Sequence, residues 1–200
     1  MSLNFYYKNN IQLKNRNSSL FKKKEKIFDK ELIKIKQDIK NENKTLNILN
    51  KNFKFNFKIK NLNRYKKFSS IVLIGMGGSI LGAEAIYNLF KKKIKKKIYF
   101  FNNLDEDEII NFKKNEKLSK CLFIIISKSG NTVETLSNIF ALNIIKKNSK
   151  NVILISEKKN NSLFLLSKKY NLFYIEHNKN IGGRYSVFSE VGIIPAFLMG

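Results

Sequence analysis

The feature that most constrains the fold is the stretch 121–135, where an apolar run changes abruptly into a hydroxyl-rich turn and then into a helical pattern. The β-branched run Ile124–Ile126 has no polar face, which indicates a strand buried on both sides of a sheet. After Thr132 the apolar residues recur at every fourth position, as in a helix: Leu136, Phe140 and Ile144. A buried strand that leads straight into a helix is typical of a parallel α/β sheet.

The turn inside this stretch has the composition of an anion-binding site. Ser127, Ser129 and Thr132 supply hydroxyl groups, and Gly130 lets the backbone turn tightly with its N–H groups exposed. The N-terminus of the following helix adds the positive end of a dipole. A simpler alternative is a capped turn, in which Thr132 is the N-cap and Glu134 complements the dipole. Three hydroxyls and a lysine exceed what a cap needs, so we predict a phosphate site.

The remainder of residues 69–200 repeats the same unit. Strands are predicted at 71–74, 97–101, around 124–126, at 152–156 and at 172–175, and helices at 79–90, 105–114, from 132 onward and at 162–169. Five strands alternating with helices predict an α/β fold whose parallel sheet is covered on both faces. Binding sites in such sheets lie at the carboxyl ends of the strands, near a topological switch point. We expect the glycine-rich and hydroxyl-rich turns to share that edge.

The first 68 residues differ in character and are predicted to form a helical and extended cover segment. An amphipathic helix is expected over 19–40, with four apolar residues at helical spacing: Phe28, Leu32, Ile35 and Ile39. We interpret it as a helix that docks on the core. A later group alternates with polar residues, which predicts a half-buried strand or an extended segment: Phe53, Phe55, Phe57 and Ile59.

The strongly basic composition does not by itself predict nucleic-acid binding. The formal net charge is +24, yet only three of the 39 basic residues are arginine: Arg16, Arg64 and Arg184. Abundant Lys, Asn, Ile and Phe are typical of an A/T-rich coding sequence, so much of the charge is expected on solvated surfaces. A protein that reads nucleic acid would favour arginine for its bidentate contacts. We expect only weak contact with polyanions, with no specific nucleic acid.

The sequence favours a soluble, cytoplasmic protein. The single cysteine, Cys121, lies in an apolar strand and is expected to be a small buried hydrophobe. The sequence has no Cys/His cluster suited to zinc. No apolar run approaches the roughly 18 residues that a membrane span needs, and the N-terminus lacks a continuous signal-peptide core.

The C-terminal segment 181–200 ends in apolar residues without a polar stop. Ser189 is expected to be an N-cap, but the helix that it begins has no C-terminal signal. An exposed apolar terminus would be unusual in a complete protein. We therefore expect the sequence to be incomplete.

The turn Gly75–Ser79 is the second candidate binding element. It fails the dinucleotide fingerprint, because the last glycine of that motif would stand where Ile80 is, and it lacks the Gly-Lys-Ser/Thr of a P-loop. What remains is a turn that permits close approach, in which Gly77 and Gly78 let a ligand lie against the backbone and Ser79 adds a hydroxyl.

The third candidate is Gly182-Gly183-Arg184. Arg184 is the only arginine in the last two-thirds of a chain that otherwise uses lysine, which indicates a need for a planar, permanently charged group. A surface arginine is the alternative. The only histidine, His177, stands in a polar loop and is interpreted as a solvated bystander.

Three segments together resemble successive signatures of the glucose-6-phosphate isomerase family: Ile71-Val-Leu-Ile-Gly-Met-Gly-Gly-Ser79, Ser127-Lys-Ser-Gly-Asn-Thr-Val-Glu-Thr135 and Gly182-Gly-Arg-Tyr-Ser-Val187. The resemblance covers about 69–200. It implies a sugar isomerase (SIS) type three-layer αβα sandwich with a five-stranded parallel sheet, preceded by a helical N-terminal segment. It further implies the N-terminal SIS domain of a two-domain enzyme, normally a homodimer. That enzyme interconverts glucose 6-phosphate and fructose 6-phosphate without a metal or an organic cofactor.

The resemblance also implies roles for individual residues. The phosphate would be held through hydroxyls and backbone N–H groups of four residues: Ser127, Lys128, Ser129 and Thr132. Gly78 and Ser79 would line the sugar. Arg184 matches the arginine that stabilises the enediolate, and Glu134 matches a site carboxylate with a secondary role. The family's base, its ring-opening histidine and a further lysine come after the point where this chain stops.

Two other functions remain open at this point. A non-catalytic SIS module that senses sugar phosphates would keep the Ser/Thr cradle but has no reason to keep Gly-Gly-Arg. A single-SIS isomerase would place its own histidine and glutamates within about this length, and one loop histidine argues against it. Membership of the isomerase family is favoured over both.

Overall fold

The computed structural model of the protein describes residues 18–200, which form seven α-helices and five β-strands. The helices are α1 Ser19–Lys40, α2 Ile59–Leu62, α3 Leu81–Phe90, α4 Glu106–Asn115, α5 Val133–Leu142, α6 Ser162–Tyr170 and α7 Glu190–Met199. The strands are β1 Ser70–Ile74, β2 Lys97–Phe101, β3 Cys121–Ile126, β4 Val152–Ser156 and β5 Phe173–Glu176.

The strands form one parallel sheet in the order β2-β1-β3-β4-β5. The chain passes from β1 outward to β2 and then returns past β1 to β3, so the direction of winding reverses between β1 and β3. This is the topological switch point of a doubly wound sheet, where binding crevices open beyond the carboxyl ends of the strands. The predicted α/β class and the parallel five-stranded sheet are confirmed.

Helices cover both faces of this sheet, because alternate strand residues point to opposite sides. One face packs residues such as Leu73 and Ile124 against α3, α7 and the segment 59–68. The other face packs residues such as Ile74 and Ile125 against α4, α5 and α6. The five residues of β1 and the six of β3 are buried throughout, as their unbroken apolar runs predict. The result is a three-layer αβα sandwich.

Two helices differ from their predicted limits for local reasons. The helix expected from residue 79 begins at Leu81, because Gly77–Ser79 form a 3₁₀ turn first. Helix α5 ends at Leu142, because Asn143 adopts a left-handed conformation with φ of 53°. Ile144, predicted to lie on the helical stripe, therefore follows the helix, although it is still buried in the core.

The N-terminal segment corrects one expectation and excludes one of two alternatives. Helix α1 forms over the predicted residues, but Ile39 alone among its residues is buried, and its side chains such as Leu20 and Ile33 are more than half exposed. It is therefore not a helix docked on the core along its apolar face. The alternating phenylalanines form no strand: their rings contact one another in sequence, and Phe57 packs against the core.

The C-terminal helix corrects a second expectation. Ser189 is its N-cap, as predicted, and its hydroxyl accepts from the amide of Val191 at 3.3 Å. The apolar residues that follow are not an exposed terminus, because Ile194 and Leu198 lie in the core beneath the sheet. Across residues 18–200, none of the helices combines the length and the apolar character needed to cross a lipid bilayer.

Candidate active site

The turn after β3 gathers its hydroxyl groups around Ser127. The buried Ser127 Oγ lies 2.8 Å from Thr132 Oγ1 and 3.4 Å from Ser129 Oγ, and it accepts from the amide of Gly130 at 3.1 Å. Gly130 has a φ of +71°, a conformation that favours glycine. The three hydroxyls predicted to form the phosphate cradle therefore lie together at the carboxyl end of the central strand.

The N-terminus of α5 is not capped by a side chain. Thr132 occupies the N-cap position, but its hydroxyl contacts Ser127 and makes no capping hydrogen bond to the helix. A helix whose first amides lack a side-chain acceptor presents donors and a positive dipole end to an anion. Thr132 therefore does not act as the cap that the simpler alternative required. Glu134 lies exposed in the first turn of the same helix.

The turn after β1 lies against the cradle strand. A Cβ on Gly75 would stand 2.7 Å from the carbonyl oxygen of Ile126, so the absence of a side chain lets the two loops meet. Gly77 is exposed, has a φ of +52° and has open space where a Cβ would point. Gly78 differs from the expectation, because the space beside its Cα is filled by the backbone of Gly183 and not left open for a ligand.

The Gly-Gly-Arg turn packs directly on this glycine turn. The hydroxyl of Ser186 lies 3.1 Å from the carbonyl oxygen of Gly78 and 2.6 Å from that of Gly183. A Cβ on Gly183 would meet no atom within 4 Å, so this glycine faces open space. Arg184 is exposed and makes no ion pair or hydrogen bond with residues 18–200. Its guanidinium is therefore available for an anionic partner.

Lys128 belongs to the cradle through its backbone, but its side chain turns toward the segment that leads into Arg184. Its Nζ donates to the carbonyl oxygens of Lys179 at 3.1 Å and Ile181 at 2.8 Å. It also lies 3.4 Å from a carboxylate oxygen of Glu157. All three sequence motifs thus meet at one edge of the sheet. The glycine turn packs through its backbone on the other two, and the ammonium group of Lys128 connects the hydroxyl-rich turn to the residue before Gly182.

His177 is not the solvated bystander that its polar neighbours suggest. It is 1% exposed and packs beside Glu190, also 1% exposed, with Nδ1 3.6 Å from Glu190 Oε1 and 2.9 Å from the carbonyl oxygen of Asn178. Glu190 Oε1 also accepts from the amide of Asn178 at 2.7 Å. Burial lowers the pKa of His177, although the charge of Glu190 acts in the opposite direction.

The sequence contained one signal for this buried pair. Glu190 is the only charged residue between Arg184 and the end of the chain, within an apolar run that packs in the core. A carboxylate in such a run is seldom buried without partners. Among residues 18–200 no group of three or more His, Cys, Asp or Glu side chains is placed to hold a metal ion.

Comparison with known proteins identifies the family of this chain. The family model described as phosphoglucose isomerase matches residues 29–200. The chain belongs to the phosphoglucose isomerase family. A probable glucose-6-phosphate isomerase of Methanococcus maripaludis is 36% identical over 209 residues, covering 96% of this chain and 47% of the relative. A glucose-6-phosphate isomerase of Borreliella afzelii is 40% identical over 141 residues, covering 64% of this chain and 26% of the relative.

Two solved structures resemble this chain in fold over about 70% of its length. A glucose-6-phosphate isomerase from Chlamydia trachomatis superposes with a TM-score of 0.59 at 28% identity, covering 69% of this chain and 28% of its own. A hypothetical protein from Thermus thermophilus gives a TM-score of 0.61 at 25% identity, covering 70% of this chain and 36% of its own. The chain thus spans about half or less of the length of these relatives.

Proposed function

We propose that this chain is the sugar-phosphate-binding half of an aldose–ketose isomerase that interconverts glucose 6-phosphate and fructose 6-phosphate. The observation that carries the proposal is the hydroxyl cluster at the uncapped N-terminus of α5, with the Gly-Gly-Arg turn packed on the neighbouring turn after β1. The cluster suits a phosphate, and a free guanidinium at the same sheet edge suits an oxyanion. Both lie at the switch point, where binding sites of doubly wound sheets form.

The phosphate end of the sugar is assigned to the turn after β3. Ser127, Ser129 and Thr132 would bind it through their hydroxyls, and Lys128 through its backbone amide. The N-terminal amides of α5 would complete the shell, since hydrogen bonds to a charged acceptor are stronger than those between neutral groups. Gly77 leaves room on the neighbouring turn, and Ser79 is half-buried beside it. Gly78 would contribute through its backbone.

Arg184 is assigned to the reacting end. Moving a proton between C1 and C2 passes through a cis-enediolate, whose oxygens carry negative charge that the sugar lacks. A fixed guanidinium beside them stabilises the transition state more than the substrate. Glu134, exposed at the first turn of α5, is assigned a secondary role in the same site. The base and the ring-opening group would come from the rest of the full-length protein, proposed to be a cytoplasmic homodimer without metal or organic cofactor.

The test is steady-state isomerisation by the full-length protein carrying Arg184→Lys. Lysine keeps the charge but loses the planar fork, so kcat should fall on the order of 10²–10³ while KM changes much less. Arg64→Lys is the matched control, because it makes the same exchange at a guanidinium that stacks on Phe173, at the opposite end of β5 from the site. A kcat within a few-fold of wild type with a raised KM would make Arg184 a substrate clamp and contradict the assigned role.

A further inference from the structure

The segment Asn178–Ile181 connects β5 to the turn that carries Arg184, and its backbone is held from several sides. The amide of Asn178 donates to Glu190, and the carbonyl oxygen of Asn180 accepts from the hydroxyl of Thr45 at 2.9 Å. Two further carbonyls of the segment, those of Lys179 and Ile181, both accept from Lys128 Nζ. Lys128 therefore supplies the link between this segment and the phosphate cradle.

The ammonium group of Lys128 is already engaged with three oxygen atoms, through two hydrogen bonds and one ion pair. A lysine carries three N–H donors, and here three acceptors surround Nζ: the two carbonyl oxygens and Glu157 Oε1. Glu157 is a charged partner, because its interactions with Lys159 and Lys128 lower its pKa despite the opposing effect of burial. A phosphate bound by this ammonium would have to displace one of these contacts and leave its acceptor unpaired.

The backbone of Lys128 is also bonded to the loop that follows β4. The carbonyl oxygen of Lys128 accepts from the amide of Glu157 at 3.0 Å, which fastens the cradle to the end of β4. The side chain of Lys128 is 29% exposed and that of Glu157 is 16% exposed, so the contacts are partly shielded from water. Charge-assisted bonds in such a setting are stronger and less screened by salt than those between fully exposed groups.

We propose that Lys128 is a positioning residue whose ammonium fastens the Asn178–Ile181 segment, and with it Arg184, to the phosphate cradle. Its amide remains with the cradle, while its side chain sets the separation between the phosphate end and the guanidinium. The catalytic meaning of this link rests on the proposed isomerase function. The link itself is a property of the ligand-free chain and can be measured there.

The experiment compares Lys128→Met with Lys159→Met in the 200-residue chain. Lys159 is a matched control, because it also pairs with Glu157 and its loss removes the same charge, but it contacts neither Lys179 nor Ile181. Amide hydrogen exchange without ligand, followed by NMR, should become tenfold or more faster at Ile181 and Tyr185 in Lys128→Met. It should stay unchanged in Lys159→Met, and the amide of Leu154 in β4 should stay protected in both.

A second readout separates positioning from ligand binding. In the full-length enzyme, Lys128→Met should lower kcat tenfold or more, with KM for glucose 6-phosphate within about threefold of wild type. Unchanged exchange at Ile181 together with a KM raised tenfold or more would make the ammonium a phosphate ligand and overturn the proposal. If the wild type did not bind sugar phosphate, the proposed function would fail, whereas the exchange comparison would still decide whether the link exists.

Discussion

At the scale of single residues, Gly78 shows how the turn after β1 and the Gly-Gly-Arg turn fit together through their backbones. An added Cβ there would overlap the carbonyl oxygen of Gly183, while the same addition at Gly183 would enter open space. Overlap with a backbone atom cannot be relieved by a side-chain rotation, so one of the two turns would have to move. The glycine at 78 is thus required by the fit between two motifs that lie far apart in sequence.

Gly78→Ala should therefore lower the free energy of unfolding by about 1–3 kcal/mol, the scale of overpacking in a tight site. Gly183→Ala is the matched control and should stay within about 0.5 kcal/mol of wild type, as a surface substitution does. Urea titration followed by circular dichroism measures both. Equal losses in the two variants would show that backbone freedom, and not the contact with Gly183, is what matters at Gly78.

The two arginines of the described chain, Arg64 and Arg184, differ in their surroundings. Rarity among lysines predicts an anionic partner for Arg184, and this stays a prediction because Arg184 is exposed and makes no ion pair within residues 18–200. Arg64 is equally rare in the sequence. Arg64 stacks over the rings of Tyr65 and Phe173 and donates to the Tyr65 hydroxyl at 2.9 Å. Arg64 uses its planar guanidinium for packing, whereas that of Arg184 has no partner within residues 18–200. Sequence alone could not separate these uses, because the partner ring of Phe173 is distant along the chain.

At the scale of elements, the passage from β5 to α7 contains a buried acid–base pair. His177 contacts Glu190 at the start of α7, and the charges of Lys128 after β3 and Glu157 after β4 also act on its pKa. Burial keeps the pKa of His177 below its ordinary value of 6.5, so the folded chain holds the ring neutral. One oxygen of Glu190, Oε2, has no hydrogen-bond partner in residues 18–200. Charging the ring would add a desolvated cation at this junction.

The pH dependence of stability follows from this. The unfolded chain takes up a proton near pH 6.5, whereas folded His177 resists it, so stability is full above about 6.5 and falls with pH toward the lowered pKa. His177 is the only histidine in the sequence. Its replacement by Gln should therefore make the melting temperature depend less on pH between about pH 7.5 and 5. Thermal unfolding across this range tests it. A wild type that gains stability on acidification would instead indicate a buried ion pair with Glu190.

Elements buried on both faces were predictable, and those that depend on long-range packing were not. Strand 152–156 is buried throughout and forms over the predicted residues, because a short apolar run between helices has few alternatives. The amphipathic pattern of α1 predicted the helix correctly but not its packing. Such a pattern indicates which face of a helix is apolar, but it does not indicate which residues pack against that face. The burial of His177 was missed for a related reason: its neighbours in sequence are polar, but its neighbours in space belong to α7.

At the scale of the whole molecule, the three signature turns meet at one edge because of the sheet order. With β1 and β3 adjacent, the turns that follow them are neighbours, and the return from β5 brings the Gly-Gly-Arg turn onto the first of them. The meeting of these turns could be predicted from a parallel fold. The contacts of the Lys128 side chain could not be predicted in this way. Backbone topology is specified by repeated patterns, while the direction of one flexible side chain depends on acceptors from distant segments.

The central claim, that the edge beyond β3 binds a sugar phosphate, is tested most directly by titrating glucose 6-phosphate into the 200-residue chain by isothermal calorimetry. Thr132→Val is the decisive variant. Thr135→Val is its control, because Thr135 is buried in the same helix with a hydroxyl that lacks a hydrogen-bond partner in residues 18–200.

Wild type should bind saturably, and Thr132→Val should weaken binding by about 1–3 kcal/mol, the scale of one hydrogen bond to a charged group, with little change in melting temperature. Thr135→Val should bind like wild type. Equal affinity in wild type and Thr132→Val, or no saturable binding by wild type, would contradict the phosphate site.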